Sequence, residues 1–414
     1  ASEVHPKLFI ANEWRPSHTG QTFETVDPST EEVIASIPRG GAEDVDDAVS
    51  AAREAFNGPW RRLTPEDRAR FLYQVARSLE SRLEEFARLE TLDTGKPLQH
   101  SRNEIRNCVR YFDYYAGAAD KIHGETIPLG PNYLDYTVRE PLGVTAHIVP
   151  WNVPLGMVCR SLAPALAAGN AAVVKPAEQT PLTALKLAEL FLELDAPPGV
   201  YNVVTGFGEE AGRALSEHPG IDSITFTGSV ETGRAVLRAA AEHVRPVVLE
   251  LGGKSPQVVF ADCDLDLAAD EVAKGIYSNS GQYCDAGSRL LIDGSIKEPF
   301  LEKVIERARA IKLGAGMDEP DMGPLVSEEH FERVLGYIEV GNKEGARMLT
   351  GGRAEGFERG YFVAPTIFDD VESNMRIAQE EIFGPVLATL SFGSEVEAIE
   401  IANDSSYGLA AGIF

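Results

Sequence analysis

Short apolar runs alternate with amphipathic stretches between Ala171 and Leu251, and this rhythm constrains the fold more than any other feature of the sequence. The apolar runs lie at residues 171–175, 201–204, 223–226 and 247–251. Helical patterns begin near Pro181, Glu209 and Glu231. Strands that alternate with helices in this way form parallel sheets with helices on both faces. A second unit of the same kind begins near Gly252, with a strand at 257–260 and a helix at 266–278, so the sequence predicts an α/β fold.

The N-terminal part of the chain has a different pattern. Residues 43–90 are helical in periodicity, and Thr64 followed by Pro65 is typical of a helix N-terminus. Residues 122–148 instead contain short alternating runs separated by turn residues. This pattern predicts a β-ribbon that leads into a buried strand at 143–149.

Charge and cysteine usage restrict the partners and the compartment. The net charge of −26 would repel nucleic acid and anionic membranes, so neither is expected as a partner. No apolar run approaches the roughly 18 residues that span a bilayer, and residues 1–5 lack the basic and apolar regions of a secretory signal. The four cysteines include no CxxC pair, and no histidine cluster has metal-ligand spacing. These features predict a cytoplasmic protein without a metal site.

Two glycine-containing turns are candidates for dinucleotide binding. Gly206, Gly208 and Gly212 follow a predicted strand, but their spacing is one residue longer than the GxGxxG fingerprint. The acid expected at the end of the next strand is also absent, so loop glycines explain this segment at least as well. Gly228 and Ser229 precede a predicted helix, whose N-terminus and backbone amides would favour a pyrophosphate.

Lys175 and Glu178 follow the first strand of the alternating region. Doubly wound sheets bind ligands at the carboxyl ends of their strands, and a carboxylate there accepts hydrogen bonds from ribose hydroxyls while repelling a 2'-phosphate. The pair therefore favours NAD over NADP. A solvated pair at the start of a helix is an equal alternative from these residues alone.

Cys284 lies in a segment of small and polar residues, NSGQYCDAGSR at 279–289, between a predicted helix and a strand. A free cysteine is usually a small buried hydrophobe. The polar, glycine-flanked surroundings favour an accessible nucleophile instead.

Several motifs, taken together in their order and spacing, resemble the aldehyde dehydrogenase superfamily. They are WN at 151–152, KPAE at 175–178, FTGS at 226–229, ELGGK at 250–254, GQYC at 281–284 and EEIFGP at 380–385. The resemblance extends over essentially the whole chain. It implies a Rossmann-type cofactor domain, an α/β catalytic domain and a bridging β-ribbon.

The resemblance also implies roles for individual residues. Cys284 would be the nucleophile, Asn152 an oxyanion donor and Glu250 the general base. Cofactor-binding roles are implied for Trp151, Lys175, Glu178, Gly228, Ser229, Glu381 and Phe383. The implied reaction is the NAD-dependent oxidation of a small-molecule aldehyde to a carboxylic acid. Glu250 favours hydrolysis of the thioester over its transfer to phosphate or coenzyme A.

The domain limits expected from the resemblance divide the chain into three parts. Residues 1–118 and 140–251 would form the NAD-binding domain, residues 119–139 the bridging ribbon, and residues 252–414 the catalytic domain. The ribbon implies a homodimer or homotetramer. Since family members continue for several dozen residues beyond the position of Phe414, we expect the C-terminal tail of the catalytic domain to be missing from this sequence.

Departures from the family pattern fall near the expected substrate site, to which Val153, Met157 and Arg160 are assigned. Asp285 is an acid where a small or neutral residue is common, and we expect its side chain to face away from the thiol. Arg160 resembles the succinate-semialdehyde branch, in which arginine binds the substrate carboxylate. That branch's second arginine is replaced by Ser278 here. A semialdehyde dehydrogenase is therefore an alternative function, and pairing of Arg160 with an acid of the protein is an equal explanation of the arginine.

Two readings from other functional classes compete with this prediction. Cys284 could act in a cysteine hydrolase with His147 as its base, but His147 lies mid-strand, where a core histidine is expected, and the cofactor motifs would have no role. The second alternative is a catalytically silent homologue. The presence of Cys284, Glu250 and Asn152 disfavours it.

Overall fold

The strands predicted between residues 144 and 250 form the parallel part of a seven-stranded sheet. The computed structural model describes residues 5–414; residues 1–4, which hold most of the segment examined for a secretory signal, lie outside the described residues. The described chain divides into two units. Unit 1 comprises residues 5–25, 33–93 and 101–250, and unit 2 comprises residues 26–32, 94–100 and 251–414. The short segments 26–32 and 94–100 thus belong to unit 2, although the sequence placed them in the cofactor domain.

The elements up to Glu250 include the sheet of unit 1 and the helices around it. The strands are β1 (Leu8–Ile10), β2 (Glu13–Arg15), β3 (Thr22–Asp27), β4 (Glu32–Pro38), β5 (Thr126–Ile127), β6 (Asp135–Tyr136), β7 (Val144–Ile148), β8 (Ala171–Lys175), β9 (Tyr201–Val203), β10 (Ser223–Thr227) and β11 (Val247–Glu250). The helices are α1 (Ala42–Asn57), α2 (Pro65–Ser81), α3 (Leu83–Thr94), α4 (Leu98–Ala118), α5 (Pro154–Ala167), α6 (Leu182–Glu193), α7 (Arg213–Glu217) and α8 (Val230–Ala241). Single 3-10 turns occupy Trp60–Arg62 and Ala119–Lys121, and a π-turn occupies Gly208–Gly212.

The sheet of unit 1 has the strand order β11-β10-β7-β8-β9-β1-β2. The five strands from β11 to β9 are parallel, and β1 and β2 add an antiparallel edge. The chain runs from β7 outward to β9, and then returns to the other side of β7 to form β10 and β11. Such a reversal of direction opens a crevice at the carboxyl ends of the two strands where it occurs, which are β7 and β10 here.

Local sequence signals account for several element boundaries. Thr64 caps α2, since its side chain accepts a hydrogen bond from the Asp67 amide and the Asp67 carboxylate accepts one from the Thr64 amide. Pro65 occupies the first turn, as predicted. The predicted ribbon contains the antiparallel pair β5 and β6, and in the loop between them Tyr133 and Leu134 are 73% and 80% exposed.

Unit 2 is built on a six-stranded sheet with the order β14-β15-β16-β13-β12-β17. Its strands are β12 (Pro256–Val259), β13 (Arg289–Asp293), β14 (Arg347–Arg353), β15 (Val363–Asp369), β16 (Val386–Phe392) and β17 (Gly412–Ile413). Its helices are α9 (Leu265–Tyr277), α10 (Lys297–Ala310), α11 (Glu328–Glu344), α12 (Arg376–Gln379) and α13 (Glu395–Asn403), with 3-10 turns at Ser278–Gly281 and Gly316–Asp318. The neighbouring strands are parallel except for the pair β14 and β15.

Apolar clusters fill unit 2 beside its sheet. One cluster gathers Phe368 and Leu390 with residues of α11 and α12, and the other gathers Leu290 and Phe300 with residues of α9 and α10. Within residues 5–414, none of the helices combines the length and apolar character needed to cross a membrane.

Candidate active site

A cleft of about 640 Å³ opens in unit 1 at the crevice expected from the strand order. It is lined by parts of segments 148–151, 175–179, 208–217 and 226–239, which follow β7, β8, β9 and β10. Trp151, Lys175, Glu178, Gly228 and Ser229 all line it. The structure therefore brings together, in one cleft, the cofactor residues that the sequence placed in this part of the chain.

Lys175 and Glu178 form an ion pair at one side of this cleft. Lys175 Nζ donates to Glu178 Oε2 at 2.9 Å. The lysine side chain is almost fully buried, whereas the glutamate is partly exposed. The lysine thus fixes one carboxylate oxygen while the glutamate remains accessible from the cleft.

The N-terminus of α8 forms another part of the cleft. Ser229 is the N-cap, and its Oγ accepts a hydrogen bond from the Thr232 amide at 3.1 Å. The Gly228 amide donates to the Glu250 carbonyl at 3.1 Å, which joins the ends of β10 and β11. Gly208 and Gly212 also line the cleft, and a Cβ at either position would meet no atom within 4 Å. The near-fingerprint segment is therefore part of the cleft wall.

Asn152 lies just before α5, in the tight connection that follows β7, and its side chain is buried. Two buried carboxylates hold the first turn of α5: Glu90 accepts from the Leu155 amide at 3.4 Å and Glu104 from the Gly156 amide at 3.3 Å. Both carboxyl groups lie at the N-terminus of α5, the positive end of the helix dipole. Sequence reasoning missed both glutamates, because acids in helical segments are expected on the solvated face.

Arg160 and Met157 of α5 and Glu250 of β11 lie together in unit 1. Arg160 Nη2 lies 2.6 Å from Oε1 of Glu250, the last residue of β11. Arg160 Nη1 also contacts Met157 Sδ at 3.6 Å, one turn earlier on the helix. Ser161 turns its hydroxyl back to the carbonyls of Met157 and Val158. Of the two explanations of Arg160, the structure supports pairing with an acid of the protein.

In unit 2, Cys284 follows a backbone segment of unusual conformation. Asn279, Ser280 and Gly281 all have positive φ, at 50°, 58° and 72°. Ser280 Oγ donates to the Gly323 carbonyl at 2.8 Å, and the Val326 amide donates to Gln282 Oε1 at 3.0 Å. Non-glycine residues persist in this region only where surrounding contacts fix them, and such segments cluster at functional sites. Gly281 was the only sequence signal for this turn.

The Cys284 thiol is half-buried, and burial is the main reason that its pKa is raised. Asp285 raises the pKa further, while the backbone amides of Cys284 and Asp285 oppose the shift. Asp285 is exposed, and its charge contributes to the raised pKa of Cys284.

Glu381 lies against the glycines of the ELGGK motif. The Gly253 amide donates to Glu381 Oε1 at 3.0 Å, and a Cβ on Gly252 would come within 2.2 Å of Glu381 Oε2. Burial raises the pKa of Glu381, and the bond from Gly253 opposes that shift. The absence of a side chain at Gly252 therefore permits the close approach of the carboxylate, and the Gly253 amide fixes one of its oxygens.

Phe383 has a φ of 62°, which is rare for an aromatic residue. Its carbonyl accepts a hydrogen bond from His330 Nε2 at 2.7 Å. Burial lowers the pKa of His330 to about 4, so the histidine is neutral at physiological pH. Two of the family motifs in unit 2 thus contain a residue with positive φ: GQYC at Gly281 and EEIFGP at Phe383.

His147, the base in the alternative hypothesis of a cysteine hydrolase, is fully buried in β7. Its Nε2 lies 2.8 Å from Thr145 Oγ1, and burial lowers its pKa to about 4. It is a core histidine of unit 1. Among the described residues, no group of three or more His, Cys, Asp and Glu side chains is placed to hold a metal ion.

Comparison with known proteins identifies the family. Residues 14–414 match the aldehyde dehydrogenase family. The chain belongs to the aldehyde dehydrogenase family. The α/β fold and the enzyme class predicted from the motifs are confirmed.

Curated relatives and solved structures of this family resemble the chain over nearly its full length. It is 48% identical over 411 residues to aldehyde dehydrogenase 1 of Tanacetum cinerariifolium, covering 98% of this chain and 82% of that protein. It is 46% identical over 416 residues to the human mitochondrial aldehyde dehydrogenase, covering 99% and 80%. An aldehyde dehydrogenase of Bacillus cereus, solved as an NAD+ complex, matches with a TM-score of 0.97 at 49% identity, covering 100% of this chain and 84% of that one.

Proposed function

We propose that this aldehyde dehydrogenase oxidises a small-molecule aldehyde to a carboxylic acid, with NAD as the hydride acceptor and Cys284 as the nucleophile. The observation that carries the proposal is the half-buried Cys284 thiol at the end of a strained, glycine-containing turn, in a chain of this family. Such a position combines accessibility with a fixed geometry, which a nucleophile requires.

The chemistry explains why a thiol, an amide and a carboxylate are needed. Addition of the Cys284 thiolate to the aldehyde carbon gives a tetrahedral thiohemiacetal oxyanion. Asn152 is proposed as a donor to that oxyanion, since its amide is neutral and cannot take up the proton. Loss of one such donor costs about 10²- to 10³-fold in rate. When NAD is bound, it accepts the hydride that leaves this carbon, and a thioester on Cys284 remains.

Hydrolysis of the thioester requires a general base, and Glu250 is proposed for this role. The carboxylate takes a proton from water, the resulting hydroxide adds to the thioester carbon, and the carboxylic acid leaves as the Cys284 thiolate is regenerated. Glu250 ends β11 and is partly exposed, so water can reach it. This base is the reason for proposing a hydrolytic rather than an acylating enzyme.

The donors in the unit 1 cleft fit NAD. Glu178 can accept hydrogen bonds from ribose hydroxyls, and its charge disfavours a 2'-phosphate. Gly228 and Ser229 at the N-terminus of α8 would hold the pyrophosphate, with Trp151 in the same cleft wall. In unit 2, Glu381 is proposed to hold the nicotinamide ribose, with Phe383 packed beside it. NADP is the less favoured cofactor.

The substrate is proposed to contact Val153 and Met157, which are assigned from the family pattern. Val153 is the N-cap of α5, and Met157 supports the Arg160 guanidinium. Because Arg160 already has an acidic partner in Glu250, the structure offers no support for the semialdehyde alternative, and we do not propose it.

The predicted ribbon is proposed as the surface that joins subunits into a homodimer or homotetramer. Six apolar side chains along it are exposed: Ile127, Leu129, Tyr133, Leu134, Tyr136 and Val138. Exposed apolar patches of this kind mark interaction surfaces.

In light-scattering measurements, Leu134→Glu should lower the assembled mass. Val33→Glu should not, because Val33 is an exposed apolar residue outside the ribbon. An unchanged mass for Leu134→Glu would contradict the assignment.

A cytoplasmic location belongs to the same proposal. Cys108, Cys159, Cys263 and Cys284 are all free thiols, which a reducing compartment preserves. Fractionation of the producing cells, with antibody detection of the protein, tests this assignment.

The catalytic proposal is tested by stopped-flow measurement of NADH with NAD and a panel of aldehydes. The parent protein should turn over, and Cys284→Ala should produce no NADH. Glu250→Gln should give about one NADH per subunit and then stall with a thioester on Cys284, which intact-mass measurement detects after acid quenching. Steady turnover of Glu250→Gln at the parent rate would refute Glu250 as the base.

A further inference from the structure

The ion pair between Arg160 and Glu250 joins two elements that are far apart in sequence, α5 and β11. The two side chains are 37% and 35% exposed, so the pair lies at the edge of the protein interior rather than in the core. Pairs of this exposure contribute little to stability. A role in positioning explains the pair better than a role in folding.

Only one oxygen of the Glu250 carboxylate is engaged. Arg160 Nη2 holds Oε1 at 2.6 Å, and among residues 5–414 no hydrogen-bond donor to Oε2 is found. A general base needs one oxygen directed toward water and a fixed orientation of the carboxylate. The guanidinium supplies the orientation and leaves the second oxygen for water.

Arg160 is itself held in place from two directions. Met157 Sδ contacts the other terminal nitrogen of the guanidinium at 3.6 Å. The first turn of α5 is anchored by the buried carboxylates of Glu90 and Glu104. The adjacent residue Ser161 does not hold the Glu250 carboxylate in place of the arginine, because its hydroxyl donates to helix carbonyls.

We infer that Arg160 is a positioning residue for thioester hydrolysis, which holds the Glu250 carboxylate by one oxygen so that the other can accept the proton of water. The inference rests on the proposed role of Glu250. It assigns Arg160 to the deacylation step and gives it no part in formation of the thioester. Arg160 acts through Glu250 and does not itself touch the reacting atoms.

The test compares Arg160→Met with parent protein, using propanal and NAD. NADH is followed by stopped flow, and the acylated fraction of acid-quenched samples is measured by intact mass. Arg160→Met should form the thioester within about twofold of the parent rate and should then turn over about tenfold more slowly, with acylated protein accumulating. Arg160→Lys should restore turnover to within about threefold, since it keeps the charge but loses the planar fork.

A matched control is available in the same unit. Arg15 and Asp47 form a pair at 2.7 Å with side chains 31% and 39% exposed, similar in length and exposure to Arg160 and Glu250. Arg15→Met should leave both the rate of thioester formation and steady turnover at parent values. Equal slowing by Arg15→Met and Arg160→Met would show a general structural effect and overturn the inference.

The double variant Arg160→Met with Glu250→Gln isolates the coupling between the two residues. If Arg160 acts through Glu250, the double variant should hydrolyse its thioester at the rate of Glu250→Gln alone. A further tenfold loss would overturn the inference, as would parent-like hydrolysis in Arg160→Met. If Glu250→Gln stalls while Arg160→Met turns over normally, only the role of Arg160 fails. If Glu250→Gln itself turns over normally, the proposed base fails.

Discussion

Lys175 Nζ donates a hydrogen bond to Glu178 Oε2 at 2.9 Å across the turn that follows β8. The lysine is almost fully buried and the glutamate is partly exposed on the cleft. The carboxylate therefore presents a negative charge to a ligand while it masks the positive charge behind it. Removal of the carboxylate charge should change how the cleft treats an anionic ligand.

Glu178→Gln should weaken discrimination against NADP. The neutral amide no longer repels a 2'-phosphate, and Lys175 is released to attract it. We expect the ratio of NADP to NAD dissociation constants to fall about tenfold, which corresponds to about 1.4 kcal/mol. Titration calorimetry with each cofactor measures both constants.

Glu242→Gln is the matched control, since Glu242 is an exposed acid at the end of α8 and does not line the cleft. It should leave the ratio unchanged. A ratio in Glu178→Gln that equals the parent ratio would remove Glu178 from cofactor selection.

Asp285→Asn should make the nucleophile more reactive at neutral pH. After burial, the Asp285 charge is the main cause that raises the pKa of Cys284, because a nearby anion disfavours the thiolate. Removal of this charge should lower the pKa, so that the thiolate is present at lower pH. The rate of Cys284 alkylation by iodoacetamide, measured against pH, should therefore rise at a lower pH in Asp285→Asn than in parent protein.

Two controls keep this measurement specific to Cys284. Cys284→Ala gives the background from the other thiols. Asp262→Asn removes an acid that raises the pKa of Cys263 instead, and it should leave the Cys284 profile in place. A Cys284 profile that is identical in parent and Asp285→Asn would show that the aspartate has no influence.

The strands and helices of unit 1 were predictable because their cause is local. The alternation of apolar runs with amphipathic stretches gave β8, β10 and β11 at or within one residue of their limits, and Thr64 with Pro65 marked the start of α2. The cleft followed from the strand order, since residues after β7, β8 and β10 must lie at one edge of a parallel sheet. The family motifs supplied the roles.

What escaped prediction depends on contacts between segments far apart in sequence. Arg160 and Glu250 form an ion pair because α5 and β11 lie close together in the folded unit. No sequence pattern within either segment predicts that contact. Glu90 and Glu104 belong to helices, where an acid is normally solvated, yet they are buried against the start of α5. Asn279 and Ser280 adopt positive φ without being glycines, so only Gly281 marked the turn.

The burial of Glu90 gives a stability prediction. Thr183 Oγ1 donates to Glu90 Oε2 at 2.7 Å, and both residues are fully buried. Thr183→Val keeps the shape but leaves a buried carboxyl oxygen without its hydrogen-bond donor, which should cost about 1–3 kcal/mol. The thermal midpoint should fall by several degrees, as measured by calorimetry, whereas Thr183→Ser, which keeps the hydroxyl, should lose less. Equal midpoints for the valine and serine variants would exclude the hydroxyl as the cause.

Gly281→Ala should damage both stability and catalysis. At a φ of 72°, an added Cβ would lie 2.2 Å from the Gly384 carbonyl oxygen, so the turn before Cys284 has to move. We expect a loss of at least about 2 kcal/mol from backbone strain and overlap. We also expect more than tenfold slower formation of NADH, since a small displacement of a nucleophile is costly. Calorimetry gives the first effect, and stopped flow on protein shown by circular dichroism to be folded gives the second.

Gly336→Ala is the control, because Gly336 lies in α11 with no atom within 4 Å of an added Cβ. It should gain about 0.5–1 kcal/mol from helix propensity and keep parent activity. Parent values of midpoint and rate in Gly281→Ala would contradict the geometry of this turn.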